Sequence, residues 1–480
     1  MVPKRFWNVG AIGTAVVMYL VFLWFYGLPH FGSLSNSSPI EGGTATPPPG
    51  APPPAAPPPA APPPGAPPPV APTPGAPPAE PEFPKYKDRT KAKVRPPISD
   101  NFPLIADLTT GKLPAVASWN KPPSPHIPEK TPLFIGFTRN WPMLQQCVLS
   151  YIAAGWPPED IYVIDNTGTM KSNFPPNPQI TLQNPFYLNV QRLTDVFGVN
   201  VISTPTLLTF AQLQNFYIFT SLEKGWDYYF WSHMDVLALT EERYEPTPFR
   251  SLYGRAVDKL REATSPDYMK NPDTGVQDEW GIQFFAYDWL ALNNVKSFLK
   301  VGGWDTFVSF YTTDCDMHGR FHMSGIKMPI SDAGRISDVG GSIDLNLLFR
   351  RKIDSKNPPK TAAELDGLPE DERGGKGFDD LIAAIKVQQD VKAHGEEERN
   401  SWQYKQQGGQ GEPFYRDPIG FEHALQKMIT CGVETYNEKW GHKGCDLNEA
   451  RLKLSDAWMV EPDWPEDPKE ECKKACEATI

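Results

Sequence analysis

The 480-residue chain has no excess of positive charge. Its 46 Lys and Arg face 57 Asp and Glu, a formal net charge of −11. Nucleic acid recognition needs concentrated basic charge, so that class of partner is excluded. Cysteine is scarce. The six are Cys147, Cys315, Cys431, Cys445, Cys472 and Cys476, and none stands in a Cys-x-x-Cys spacing, which argues against structural zinc. His-Glu-x-x-His is missing as well. His318 and His322 are four apart, but without a third ligand they read as surface or partly buried side chains rather than a metal pair. Charge is absent altogether from residues 6–28. At ~1.5 Å per residue that run is long enough to cross a bilayer core as a helix. Lys4 and Arg5 precede it, no basic residue follows closely, and no Ala-x-Ala cleavage pattern follows. These features predict an uncleaved signal anchor at 6–28, a cytoplasmic tail at 1–5 and everything else on the lumenal or extracellular side.

Proline is the residue in surplus, with 54 in the chain. About half of residues 39–84 are Pro, in a loose PPPGA and PPPAA repeat. Such a chain favours extended polyproline II at ~3.1 Å per residue and reads as a stalk. A docking tract for SH3 or WW modules is the alternative, but those modules are cytosolic and the predicted orientation puts the tract on the other side. Asn36 opens an N-glycosylation sequon, and Ser and Thr beside Pro are candidates for O-glycosylation. The stem is expected to continue, polar and Pro-punctuated, through 29–130.

From residue 131 the pattern changes. TPLFIGFTR reads as a buried strand, WPMLQQCVLSYIAAGW as a helix ending at Gly155, and DIYVIDNTG as a second strand. NVIS is a third strand and TFAQLQNFYIFTSLEKGW a second helix. This alternation predicts an α/β domain with a mostly parallel central sheet and flanking helices. Arg139, Asp165 and Asn166 stand at the ends of the first two strands and should converge on one edge. The next strand, within WDYYFWSHMDVLAL, ends in His233 and Asp235 and then resumes as an apolar run. Open α/β sheets bind ligands at such strand ends. Asp235 is therefore expected to hold a divalent metal, and the metal the diphosphate of a sugar nucleotide. Capping a strand or starting a turn is the plainer role for Asp235. Further on, GGWDTFVSFYTTDCDMHGRFHMSG places Asp314 and Asp316 before a helical pattern. They suit a general base and its neighbour, or helix caps.

These residues resemble the inverting glycosyltransferases of the GT-A fold, the nucleotide-diphospho-sugar transferases, and in particular Golgi type II enzymes of fungal kind. The resemblance covers about residues 131–352 and rests on FIGFTRNW with IYVIDNTG, on WSHMDV in the place of the family's DxD motif, and on GGWDTFVSFYTTDCDMHGRF. The last is similar to a stretch of β-1,4-galactosyltransferases in which an Arg follows the catalytic acid by six positions; Asp314 and Arg320 take those places. The resemblance implies a Rossmann-like GT-A domain that moves a sugar from a nucleotide-sugar donor to a glycan or glycoprotein acceptor. It implies Arg139, Asp165 and Asn166 at the nucleoside, Gln212 and Asn215 near the ribose or diphosphate, and Trp304, Asp305, Asp316 and Arg320 at the sugars. Asp314 would be the catalytic base, and Asp235 with His233, which stands where the family has its first acid, would hold Mn2+ or Mg2+. Asp332, Asp338 and Asp344 are equal candidates for a late metal ligand. The membrane of residence would be the Golgi, single-pass type II, with the catalytic domain lumenal. A non-catalytic binding protein of the same fold and a Pro-rich structural surface protein are the alternatives.

The tail divides in two. Residues 353–412, charged, Gly-rich and poor in apolar side chains, read as a flexible linker with one helical piece near 379–391. Residues 413–480 read as a small Cys-containing region with a helix near 421–429. In an oxidising compartment its four cysteines allow two disulfides in three pairings, while Cys147 and Cys315 are expected to stay buried thiols.

Overall fold

The computed structural model describes residues 86, 96–108, 111–243, 248–394, 400–404, 408–462 and 464. The expected anchor, most of the stem, Cys472 and Cys476 lie outside them. Among the described residues no helix is long and apolar enough to cross a membrane.

Strand β1 (Leu133–Phe137, LFIGF) is apolar along its length and nearly all buried, as a central strand covered on both faces requires. Asn140 caps helix α1 (Trp141–Ala153) by accepting the Met143 amide, with Pro142 in the first turn. Gly155 ends the turn at φ +93°, where a Cβ would lie 2.4 Å from the Asn120 carbonyl oxygen; only glycine fits both demands. Strands β2 (Ile161–Asp165) and β3 (Asn200–Ser203) follow, then helix α2 (Phe210–Glu223), opened by a Thr209–Gln212 capping box. β4 (Tyr228–Ser232) returns to the sheet, and β5 (Val236–Leu239) leaves it after a turn. Helix α3 (Leu252–Ala263), strands β6 (Ile282–Phe284) and β7 (Leu290–Asn294), helices α4 (Val295–Val301) and α5 (Thr313–Met323) and strand β8 (Arg335–Asp338) complete this part.

The large sheet has the order β3-β2-β1-β4-β7-β6. Its first four strands pair in parallel, and β7 and β6 add antiparallel. A second sheet pairs β5 with β8 antiparallel. The mixed α/β architecture with a mostly parallel core is therefore as the strand–helix alternation predicted. Alternate residues of β1 feed opposite faces: Leu133, Ile135 and Phe137 join a cluster with α1, α3 and β5, and Phe134 joins one with α2, α4 and α5.

Three expectations need correction. The stem does not run to residue 130, because Phe102 and Ile105 are buried in the first cluster. Asp100 also pairs with Arg192, and Asn101 donates to Ser342. Nor is 353–412 simply a linker. It holds helices α6 (Ala362–Asp366) and α7 (Lys376–His394), and α7 docks on the core through Phe378, Leu381 and Ile385. That apolar stripe is narrow on a charged helix, which is why composition understated it. Finally, Cys315 is not a thiol: it is bonded to Cys445, with Cα atoms 4.9 Å apart. Cys445 follows helix α8 (Pro418–Trp440), which extends well beyond the predicted end at 429.

Candidate functional site

Strand register assembles the site. β4 and β7 are antiparallel with Ser232 opposite Leu290, so His233, just after β4, meets Asp288, just before β7. His233 Nε2 lies 3.4 Å from Asp288 Oδ2, and its Nδ1 lies 4.0 Å from Asp235 Oδ1. The imidazole stacks on Trp231. In the other sheet Val236 opposes Asp338, and the Val339 amide donates to the Asp235 carbonyl, so Asp338 stands beside Asp235. Of the three late acids left undistinguished by sequence, Asp338 is the one delivered here. Lys392, near the end of α7, then reaches between the two. Its Nζ hydrogen-bonds the Asp235 carboxylate and lies 3.0 Å from Asp338 Oδ1.

A second branch leads from Asp288 to α5. Burial lowers the pKa of His318, against the pull of the Asp314 and Asp288 carboxylates. Tyr287 Oη donates to Asp314 Oδ2 at 3.1 Å. Tyr287 itself is exposed and held at φ +48°. Asp314 opens α5 but does not cap it; the N-cap is Thr312, at φ +64° and without a side-chain capping bond. Asp235, His233 and Asp288 thus form one cluster at the strand-end edge, and Tyr287, the neighbour of Asp288, ties Asp314 of α5 to it. Burial works against charge on His233, but Asp288 and then Asp235 outweigh it and raise its pKa. Burial would also raise Asp288 and Asp235, yet His233 holds the first below the usual carboxylate range and Lys392 the second.

Sequence reasoning missed Asp288, Tyr287 and Lys392. The signal for Asp288 was present: DVLAL at 235–239 recurs as DWLAL at 288–292, an acid leading an apolar strand in both cases.

The residues present do not fit a divalent metal in this arrangement. Asp235 is engaged by the Lys392 ammonium, and among the described residues no group of three or more His, Cys, Asp or Glu is set to hold an ion. Of the pair expected at a metal, the His233 imidazole faces Asp288 and the Asp235 carboxylate faces Lys392.

The other sequence-predicted residues carry structural contacts. Trp304 is buried among Phe210 and Phe298 and is no platform for a sugar. Asn215 pairs with the Trp304 backbone, donating to its oxygen and accepting from its nitrogen at 2.9 Å. Gln212 completes the cap of α2. Asp305 binds Lys439, and Asp316 is sealed between Lys439, Trp440 and Arg320; Arg320 also donates to the Val301 carbonyl. Asp165 accepts from Thr167, and burial raises its pKa. Asn166 ties down the 204–208 loop through Thr204 and Leu208. Arg139 does reach the expected edge, but it binds Glu422 and Gln403 and lies over the Phe421 ring. Arg416 lies over Phe186 and Phe421. The start of α8 therefore covers the β1–β2 strand ends.

No protein-family model matches the chain. No curated protein matches it either. Among solved structures, the chain is similar to a mannosyltransferase from Pyrobaculum calidifontis in complex with GDP-Man and Mn2+. Identity is 12%, coverage 75% of this chain and 88% of that one, and the TM-score 0.28. It is also similar to a cytidylyltransferase from Leptospira borgpetersenii, at 10% identity, 54% and 98% coverage and a TM-score of 0.27. Superposition at that level carries no functional inference, and the reading below rests on the side chains.

Proposed function

We propose that the chain is a glycosyltransferase acting on a nucleotide-sugar donor and a glycan or glycoprotein acceptor, with inversion at the anomeric carbon. The observation that supports it is the Asp235–His233–Asp288 cluster at the carboxyl edge of the parallel strands, where such sheets bind ligands, with Asp314 held beside it by Tyr287. The donor diphosphate lies at the Asp235 end and the acceptor at the Asp314 end. Asp314, partly exposed and held by Tyr287, takes the proton of the acceptor hydroxyl as it attacks in line from the face opposite the leaving diphosphate. Tyr287 fixes the carboxylate and presents an exposed ring beside it. The Mn2+ or Mg2+ expected from sequence is the one component these residues do not fit, and no step is assigned to it. With the predicted anchor and stem, the domain faces the lumen of the secretory pathway, as a type II protein of the Golgi.

The test is donor turnover across a panel of sugar nucleotides. Asp314→Asn should abolish turnover and leave nucleotide affinity unchanged, whereas Asp235→Ala should weaken both. Unaltered turnover in Asp314→Asn would sink the reading. A non-catalytic binding domain is the second reading, favoured by the internal contacts that occupy Arg139, Asp165 and Asn166. It predicts nucleotide-induced thermal stabilisation without turnover of any donor.

A further inference from the structure

We infer that Lys392 is the resident cation of the site, standing where a divalent metal would otherwise sit, and that phosphorylated ligand binds at this edge without a divalent ion. The inference rests on the donor-site reading above and adds how that site handles charge.

Three observations carry it. First, the ammonium occupies the cation position between Asp235 and Asp338. These carboxylates come from different strands and are brought together by the β5–β8 ladder. Second, the position is built into the fold. A Cβ on Gly340 would lie 2.7 Å from the Lys392 backbone nitrogen, and one on Gly341 2.2 Å from Gln388 Oε1. The Gly340 amide donates to the Gln388 carbonyl at 3.0 Å. Gly340, just after β8, therefore lets α7 approach to backbone contact, and Phe378, Leu381 and Ile385 anchor the helix from below. Third, a divalent ion bound to Asp235 and Asp338 would stand against the ammonium, and the two cannot share one pair of carboxylates. Asp235 and Asp338 become positioning residues for Lys392, and His233 and Asp288 complete the charge around it. A lysine ammonium is a compact point charge suited to phosphate oxygens.

The experiment is thermal stabilisation of the full-length chain by UDP, GDP and CDP, each in excess EDTA and in excess Mn2+. At least one diphosphate is expected to shift the melting temperature equally in both media, and Mn2+ alone is expected to do nothing. Lys392→Arg should keep the EDTA-resistant shift. Lys392→Ala should weaken the diphosphate on the order of tenfold or more in EDTA. It should also gain a response to Mn2+ alone, because the ammonium would no longer stand between Asp235 and Asp338. Should Lys392→Ala fail to fold, the wild-type comparison and Lys392→Arg decide the matter. A wild-type shift that appears only with Mn2+ overturns this inference and leaves the donor site standing. No shift with any diphosphate in either medium removes the donor site, and this inference with it.

Discussion

Two lysines from the C-terminal helices each bridge a pair of aspartates, and the surroundings make one bridge a staple and the other part of a site. Lys439 Nζ lies 2.7 Å from Asp305 and 2.6 Å from Asp316. Asp316, 0% exposed, also accepts from Trp440 Nε1 at 3.0 Å and from Arg320 at 2.9 Å. The Cys315–Cys445 disulfide closes the same corner. Lys392 makes the same kind of bridge between Asp235 and Asp338, but its neighbours are His233, whose side chain is 32% exposed, and Asp288. A buried ion pair serves as a fixed support when the groups around it are satisfied and dry. Left at a strand end with partly solvated, titratable neighbours, it has the makings of chemistry. Helix α5 belongs to both. Asp314 faces the site and Asp316, two residues later, faces the staple.

The sharpest way to break this contrast is at those two aspartates. Asp314→Asn is expected to lower donor turnover by about 10²–10⁴, the usual contribution of a general base. Its stability should stay within about 0.5 kcal/mol of wild type in urea unfolding. Asp316→Asn should do the reverse in kind, with lost stability as the primary effect. If both lose turnover without losing stability, the division of α5 is wrong.

Next in size is removal of each lysine. Lys439→Met takes the ammonium from Asp305 and leaves Asp316 to Arg320 and Trp440, and should cost toward the lower end of the about 3–5 kcal/mol lost when one partner of a buried pair is removed. Lys392→Met should cost less, because the His233 imidazole stays beside Asp235 and offsets part of its charge. Equal losses in chemical denaturation would erase the distinction. Cys445→Ser follows, at about 2–4 kcal/mol for a long closed loop. The loss should be matched by reducing the wild type with dithiothreitol.

Where this contrast was legible in sequence is instructive. The β-α-β opening, the strand end at His233–Asp235 and the helix carrying Asp314 all followed from local apolar periodicity, which is a near-neighbour property. The pairing of Asp314 with the other acid was reached only through resemblance, and its physical cause was hidden. Asp288 joins the two ends because β7 lies antiparallel to β4, and a strand's partner is not written in its own residues. Lys392 was further out of reach. It lies more than 150 residues from Asp235, in a segment whose charge content argued for flexibility. It arrives because apolar residues and the close approach at Gly340 dock α7. Trp304, Asp305, Asp316 and Arg320 fit a motif and turned out to be its scaffold: spacing along a helix fixes which residues are neighbours, not which of them meets solvent.

The smallest effect expected is also the most selective, since the two bridges should respond differently to pH. In the staple, burial raises the Asp305 pKa but the hydrogen bond from Lys439 outweighs it and holds the carboxyl low. A depressed carboxylate contributes stability that is fully present above its unfolded value, about 3.9, and is lost as pH falls through the folded value. The site has this acid limb too, through Asp235 and Asp288, but it adds a second limb that the staple lacks. His233 is raised in the folded state by Asp288 and Asp235. Its contribution is fully present below the unfolded value of about 6.5 and disappears as pH rises through the folded value. Melting temperatures taken from mildly acidic to mildly alkaline pH should therefore fall more steeply for the wild type than for His233→Gln, while the same scan on Asp305→Asn should run parallel to wild type. A His233→Gln curve parallel to wild type would mean that the imidazole does not hold its proton against Asp288, and the cluster would lose the link that joins Asp235 to Asp288.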